Sequence, residues 1–225
     1  MKNKEEILAT VESVGLVPVV RAPSPELAIR AVEALLAGGI SVFEITMTVP
    51  GAVGVITTLR ERFGDRAIVG AGTVLSADDA RACIDGGAQF IVSPGLDLGT
   101  IAETKSRGVC MMPGALTPTE VITAWKAGVD MVKIFPCSAM GGAKYLRALR
   151  GPLPQVRFLP TGGVSAATAG EYIAAGARAL GVGGELVDIA ALEAGQDAVI
   201  TARAKELVAA VQTARAQLIA GKPKA

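Results

Sequence analysis

The stretch Asp130–Pro136, DMVKIFP, sets an amine inside an apolar run, and VFEITMT, residues 42–48, does the same with a carboxylate. Two more polar side chains, Arg21 after VPVV and Thr73 after AIVGAG, close runs of the same kind. A lysine withdrawn from water and set near a guanidinium is disfavoured as the ammonium. The neutral amine adds to a carbonyl carbon and forms a Schiff base, whose iminium draws electrons from an adjacent C–C bond. A carboxylate beside it moves the protons. Lys133 therefore reads as a nucleophile and Glu44 as its acid/base partner. Each group also has a plain structural reading. Lys133 can snorkel to solvent or form an ion pair with Glu44, Arg21 can be a surface charge, and Thr73 can satisfy a backbone group.

The composition narrows the chemistry. The chain contains no histidine, which removes Ser/His and Cys/His nucleophile pairs and the commonest transition-metal ligand. No metal and no cofactor is expected. Cys83, Cys110 and Cys137 are odd in number and far apart, so they read as buried thiols of a reducing compartment. The 22 basic and 21 acidic residues nearly cancel, giving no electrostatic reason to expect nucleic acid or an anionic membrane as partner. No stretch approaches the roughly 18 apolar residues of a membrane span, and the start, MKNKEEILATVESVGLV, is a charged amphipathic pattern and not a signal peptide. A cytoplasmic protein with a small ligand is expected.

These residues need a frame. Gly15, Gly39, Gly64, Gly87, Gly108, Gly128, Gly151 and Gly176 recur every 20 to 25 residues, each followed by a short apolar run. A glycine there suits a helix C-terminus, where positive φ costs little without a Cβ. Segments such as SPELAIRAVEALLAGG, SADDARACIDGG and TPTEVITAWKAG open with a capping Ser or Thr and carry apolar residues at helical spacing. Eight alternating units predict parallel strands joined by right-handed crossovers, an α/β fold of the (β/α)8 TIM-barrel type. A doubly wound sheet competes, but GAGTVL and GVGGEL both lack the third glycine of a dinucleotide fingerprint. The expectation is a single domain over residues 1–225, with an N-terminal helix at about 3–14, a barrel at about 17–220 and a frayed tail at 221–225.

Strand parity in such a barrel turns Val132 and Ile134 toward the helices and Lys133 inward. It likewise turns Phe43, Ile45 and Met47 outward, and Glu44, Thr46 and Thr48 inward. Lys133, Glu44, Arg21 and Thr73 then converge at the C-terminal face, where barrels bind ligands. PTGGVS and GVGGEL follow the seventh and eighth expected strands, so Gly162, Gly163, Gly183 and Gly184 can offer backbone N–H groups and helix N-termini to a phosphate.

The runs VVRA, AGGI, FEIT, VGAGTV, FIVSPG, MPGALTPTE, VKIFP, KYLRALRGPLP, PTGGV and LGVGG, spread over most of Val17–Val187, resemble the 2-keto-3-deoxy-6-phosphogluconate (KDPG) / 4-hydroxy-2-oxoglutarate (KHG) aldolase family, a group of class I aldolases. The resemblance implies Lys133 as Schiff-base nucleophile, Glu44 as general acid/base, and Arg21 and Thr73 as holders of the pyruvate carboxylate. It further implies Pro94, Phe135 and Thr161 as lining residues, Gly162 and Gly163 as part of the phosphate site, metal independence and a homotrimer. Many members carry a serine where Gly184 stands and a small or apolar residue where Glu185 stands, and some have a basic residue at the place of Thr48. A missing hydroxyl and an added carboxylate both disfavour a phosphate. Two other functions fit the barrel: a phosphate-sugar isomerase or epimerase, and a non-catalytic assembly subunit.

Overall fold

A computed structural model describes residues 2–220 of the chain; the tail expected at 221–225 lies outside the described residues. Helix α1 (Lys4–Val14) is closed at its start by Asn3 and Glu6 in a reciprocal capping box, and at its end by Gly15 in the left-handed conformation. Strands and helices then alternate: β1 (Leu16–Val20), α2 (Pro25–Ala37), β2 (Val42–Thr46), α3 (Ala52–Phe63), β3 (Ile68–Gly72), α4 (Ala77–Asp85), β4 (Phe90–Val92) and α5 (Leu98–Ser106). The second half continues with β5 (Cys110–Met112), β6 (Gly114–Ala115), α6 (Pro118–Lys126), β7 (Val132–Ile134), α7 (Ala143–Arg150), β8 (Phe158–Pro160), α8 (Ala166–Ala174), β9 (Leu180–Val182), α9 (Ile189–Glu193) and α10 (Asp197–Ala220). Ser24, Ser76 and Thr117 cap α2, α4 and α6 with their side chains, as the sequence pattern requires.

All strand pairs are parallel. They form a six-stranded sheet, β5-β4-β3-β2-β1-β9, and a three-stranded sheet, β6-β7-β8. The expected fifth strand is interrupted by Pro113, which has no N–H to give to a ladder, so it divides into β5 and β6. Between β8 and β9 the contact is a single parallel bridge, Thr161 with Gly181, and a hydrogen bond from Arg178 N–H to Phe158 O at 3.0 Å.

Every strand residue is buried, so both sheet faces are covered. Phe43, Ile45, Val69, Val132, Ile134 and Phe158 face the helices in one apolar core. Val17, Val42, Ile68, Phe90, Cys110, Met112, Met131 and Leu159 face inward in a second, and Ile7 and Val11 of α1 close that core from below. The parity assigned to Lys133 and Glu44 follows from these neighbours, because Met131 and Val42 lie two residues away on the same face.

Three local expectations change. Gly151 has φ −51°, not a positive value: it ends α7 in the right-handed region, ahead of Pro152, where a Cβ would crowd the proline ring. Thr48 stands past the end of β2 in an exposed turn, so inward parity extends only to Thr46; the two hydroxyls meet at 2.7 Å. No helix starts directly behind Gly183 and Gly184. The Gly183 carbonyl accepts the N–H groups of Leu186 and Val187 at 2.9 and 3.0 Å, folding a tight turn instead. Among the described residues no helix is long and apolar enough to cross a membrane.

Candidate active site

Lys133 sits in the middle of β7, in register with Gly114 on one side and Leu159 on the other. Its N–H donates to Pro113 O at 2.9 Å, so the backbone is fixed from the strand that the proline interrupts. Glu44 occupies the matching place in β2, between Val19 and Gly70. The two side chains meet across the interior. Nζ of Lys133 lies 3.4 Å from Oε1 of Glu44, and the side chains are 7% and 1% exposed. A tight charge-assisted contact would be about 2.7–2.9 Å, so the carboxylate holds the amine loosely. Nζ also stands 5.6 Å from the centroid of the Phe135 ring, within cation–π range.

Space for the carboxylate comes from a missing side chain. A Cβ on Gly72 would fall 2.6 Å from Oε1 and 2.7 Å from Cδ of Glu44, far inside van der Waals contact. Gly181 does the same for Thr161, whose side chain a Cβ there would overlap. The inward positions of β3 and β9 are thus emptied so that polar groups on β2 and after β8 can fit. These glycines carry no local signal of that role, because close approach between strands is a tertiary fact that composition does not record.

Thr73 follows Gly72 with φ 57°, and among the described residues it is the only non-glycine at positive φ. A β-branched residue there is strained by about 1–3 kcal/mol, and such strain clusters at functional sites. Nothing in the local sequence marks it.

Above Lys133 opens a cavity of about 320 Å³, lined among others by Arg21, Thr73, Pro94, Phe135 and Thr161. That volume suits a small ligand. Arg21 lies one residue past β1 and is exposed at the cavity wall; none of the ion pairs among the described residues engages it. Its charge is therefore open to an incoming anion. The structure brings Lys133, Arg21, Thr73, Pro94, Phe135, Thr161, Gly162, Gly163, Gly183 and Gly184 to this one cavity, with Glu44 beneath it; Thr48 is not among the lining residues.

The glycine pairs differ. Gly162 and Gly163 have φ 95° and 71°, and their loop is pinned by Cys137 N–H donating to Thr161 O at 2.9 Å and by the Tyr172 hydroxyl donating to Gly162 O at 3.4 Å. Burial, then the nearby Cys137, pushes the Tyr172 phenol up to about 12, so it remains a donor at neutral pH. This loop leads into α8, whose start is capped by Ser165 and Thr168, the Thr168 hydroxyl accepting Ser165 N–H at 2.9 Å. Behind Gly183 and Gly184 the next helix, α9, has only five residues against nine in α8, and its start is likewise capped, by Asp188, which accepts Ala191 N–H at 3.0 Å. That hydrogen bond, opposed by burial and aided by the Arg203 charge, holds the Asp188 carboxyl below its usual range. Glu185 lines the cavity wall and is exposed.

The three cysteines are buried and free. Burial pushes the Cys83 thiol up to about 11 and the Cys110 thiol up to about 12, so neither is a nucleophile at neutral pH.

A family model described as KDPG and KHG aldolase matches residues 7–203. The KHG/KDPG aldolase of Escherichia coli K12 is 38% identical over 210 residues, covering 92% of this chain and 98% of the relative. The 2-dehydro-3-deoxy-phosphogluconate aldolase of Treponema pallidum is 35% identical over 201 residues, 89% of this chain and 95% of the relative. Among solved structures, the KDPG aldolase of Legionella pneumophila, with pyruvate captured as a covalent carbinolamine, superposes with a TM-score of 0.82 at 30% identity, covering 89% of this chain and 97% of that one. The chain belongs to the KDPG and KHG aldolase family.

Proposed function

We propose that this chain is a class I aldolase that reversibly cleaves 2-keto-4-hydroxy acids, with Lys133 as nucleophile and Glu44 as proton carrier. The observation that carries the reading is the buried Lys133–Glu44 pair, 3.4 Å apart, opening on a cavity with an unengaged arginine. In its neutral form the Lys133 amine adds to the C2 carbonyl, giving a carbinolamine that loses water to form the iminium. Glu44 removes the proton from the C4 hydroxyl as the C3–C4 bond breaks, and the bonding electrons pass into the iminium to leave an enamine. The aldehyde departs, Glu44 protonates C3, and water releases pyruvate and the free lysine.

Arg21 and Thr73 hold the keto acid's carboxylate in this scheme, while Pro94, Phe135 and Thr161 shape the cavity around it. The substrates are KDPG, giving pyruvate and glyceraldehyde 3-phosphate, and KHG, giving pyruvate and glyoxylate, by analogy with the relatives' names. Gly162 and Gly163 form the stronger half of the phosphate site and Gly183 and Gly184 the weaker, since a tight turn and a helix of only five residues follow the second pair. Glu185 at the wall further lowers the advantage of a phosphorylated substrate. The scheme needs neither metal nor cofactor.

The two sheets are read as one closed (β/α)8 barrel in a single domain. Support comes from Asp130 N–H donating to Met111 O at 3.1 Å, which continues the β6–β7 ladder onto β5, and from the Thr161–Gly181 bridge. A cytoplasmic homotrimer completes the reading, on family resemblance alone.

Borohydride reduction in the presence of pyruvate is the deciding test. A mass adduct confined to Lys133, absent in Lys133→Ala, is expected; no adduct on the natural chain would favour the isomerase class instead. Chelators should leave kcat unchanged. Comparing kcat/KM for phosphorylated and unphosphorylated hydroxy-keto acids, with Gly184→Ser beside the natural chain, tests the substrate assignment: the serine should raise the preference for phosphate.

A further inference from the structure

On the face opposite Lys133, where the strands begin, a cavity of about 480 Å³ lies between the ends of α1, α7 and α8 and the last turns of α10. Three guanidinium groups, Arg150, Arg178 and Arg215, face it together with one carboxylate, Glu12, while Ile173 and Leu218 supply apolar wall. Two of the positive charges nearby have structural work. Arg215 donates to Ser13 O and Glu12 O at 2.6 Å each and to Arg178 O at 3.2 Å, closing the carbonyl end of α1. Arg157 stands 3.0 Å from Glu12 Oε1 as an ion pair without hydrogen-bond geometry, so that buried oxygen has no hydrogen-bond partner among the described residues.

Arg150 and Arg178 have no such task. Neither side chain donates to any acceptor or pairs with any carboxylate among the described residues. Arg150 is exposed, and its guanidinium lies over Gly176: a Cβ at Gly176 would fall 2.7 Å from Arg150 Cζ. Gly176 has φ 98°, which glycine adopts readily, so the side-chain-free place beneath that group comes with the α8–β9 turn itself. Arg150 also walls an adjoining cavity of about 350 Å³ with Arg147, so the positive face continues outward along α7.

Guanidinium forks bind phosphate in paired hydrogen bonds, and the strength of such contacts rises when donors are already in place. We infer that this cavity is an anion site for a small phosphate monoester, with Arg150 and Arg178 on the phosphate and Ile173 and Leu218 against the organic part. The opposite face of the strands holds the proposed catalytic groups, so the site is separate from them and the inference does not depend on what they do. Inorganic phosphate alone would use the arginines but not the apolar wall.

Calorimetric titration with phenyl phosphate and with inorganic phosphate tests this. Phenyl phosphate should bind the natural chain more tightly than inorganic phosphate. The double variant Arg150→Ala/Arg178→Ala should lose at least about tenfold in phenyl phosphate affinity with unchanged melting temperature in the absence of ligand and unchanged retro-aldol kcat/KM. Arg150→Lys/Arg178→Lys should recover part of the loss, since charge remains while the fork does not. Equal affinity of the natural chain and the alanine double variant would overturn the proposal, as it would place any binding elsewhere, and so would a natural chain that binds neither probe.

Discussion

Two layers of the sheet's inner face, one pleat apart, have opposite characters. The lower layer is dry: Val42, Met131 and Leu159 meet Ile68, Phe90 and Met112 under the lid of α1. Two residues further along the same strands stand Glu44, Lys133 and Thr161, buried yet polar. The backbone is equally regular in both layers, so what changes is the side chains and the space left for them. In the lower layer large residues from all sides interdigitate; in the upper, Gly72 and Gly181 withdraw so that a carboxylate and a hydroxyl fit. The lower layer stabilises the fold through apolar burial, and the upper layer sacrifices packing for chemistry.

Crossed substitutions should separate these roles most sharply. Glu44→Gln keeps shape and removes the proposed proton carrier, so kcat for retro-aldol cleavage should fall by about 10²–10⁴-fold with little change in the urea midpoint. Leu159→Ala, a pleat below Thr161, should lower stability by about 2–5 kcal/mol in urea denaturation while the folded enzyme keeps kcat within a few-fold. If both variants lost activity and stability in equal measure, the layers would not be separable units.

Gly72→Ala probes the boundary and has a smaller effect. The added methyl would meet Glu44 Oε1 at 2.6 Å, so the carboxylate must move away from Lys133 or β3 must shift. Overpacking of this kind costs about 1–3 kcal/mol. If the displaced group is the carboxylate, kcat falls by more than KM changes and the pH–rate profile shifts; if only the strand yields, stability drops and the profile stays. The first outcome is expected, because β3 is held in register with β2 over its full length, whereas a side chain can turn.

How much of this could be read beforehand follows from the range of each interaction. The alternation of capped helices and apolar strands is local, and Ser24, Ser76 and Thr117 cap their helices as their positions in the sequence imply. The inward turn of Lys133 and Glu44 needs only a period of two, and it too was legible. Thr48 escaped because parity ends with the strand, and Gly151 because the following proline changed what its glycine was for. Gly72 and Gly181 were visible as letters but not as spaces, since their meaning depends on a side chain from another strand. The left-handed Thr73 is set by the turn after β3, and a threonine gives no signal for it.

The lower layer also has a titratable latch, and its effect is the smallest. Lys4, at the start of α1, pairs with Asp130 just before β7 at 2.8 Å, and the other carboxylate oxygen accepts Met111 N–H at 3.0 Å. The helix that seals the apolar plug is thereby tied to the segment leading to Lys133. The hydrogen bond to Asp130 is the main cause that raises the Lys4 ammonium above its ordinary 10.5, with burial opposing it and the Asp130 charge adding to the rise. A raised pKa means the folded state holds the proton more firmly than the unfolded chain. The stabilisation is complete below about pH 10.5 and disappears as pH climbs through the higher folded value. Because Lys4 is 32% exposed, screening limits it to about 0.2–1 kcal/mol. Lys4→Met should therefore be less stable than the natural chain by that amount at pH 7 and pH 9 alike, and the gap should close only in more alkaline solution. A gap that instead closed between pH 5 and pH 7 would assign the latch to a different titrating group.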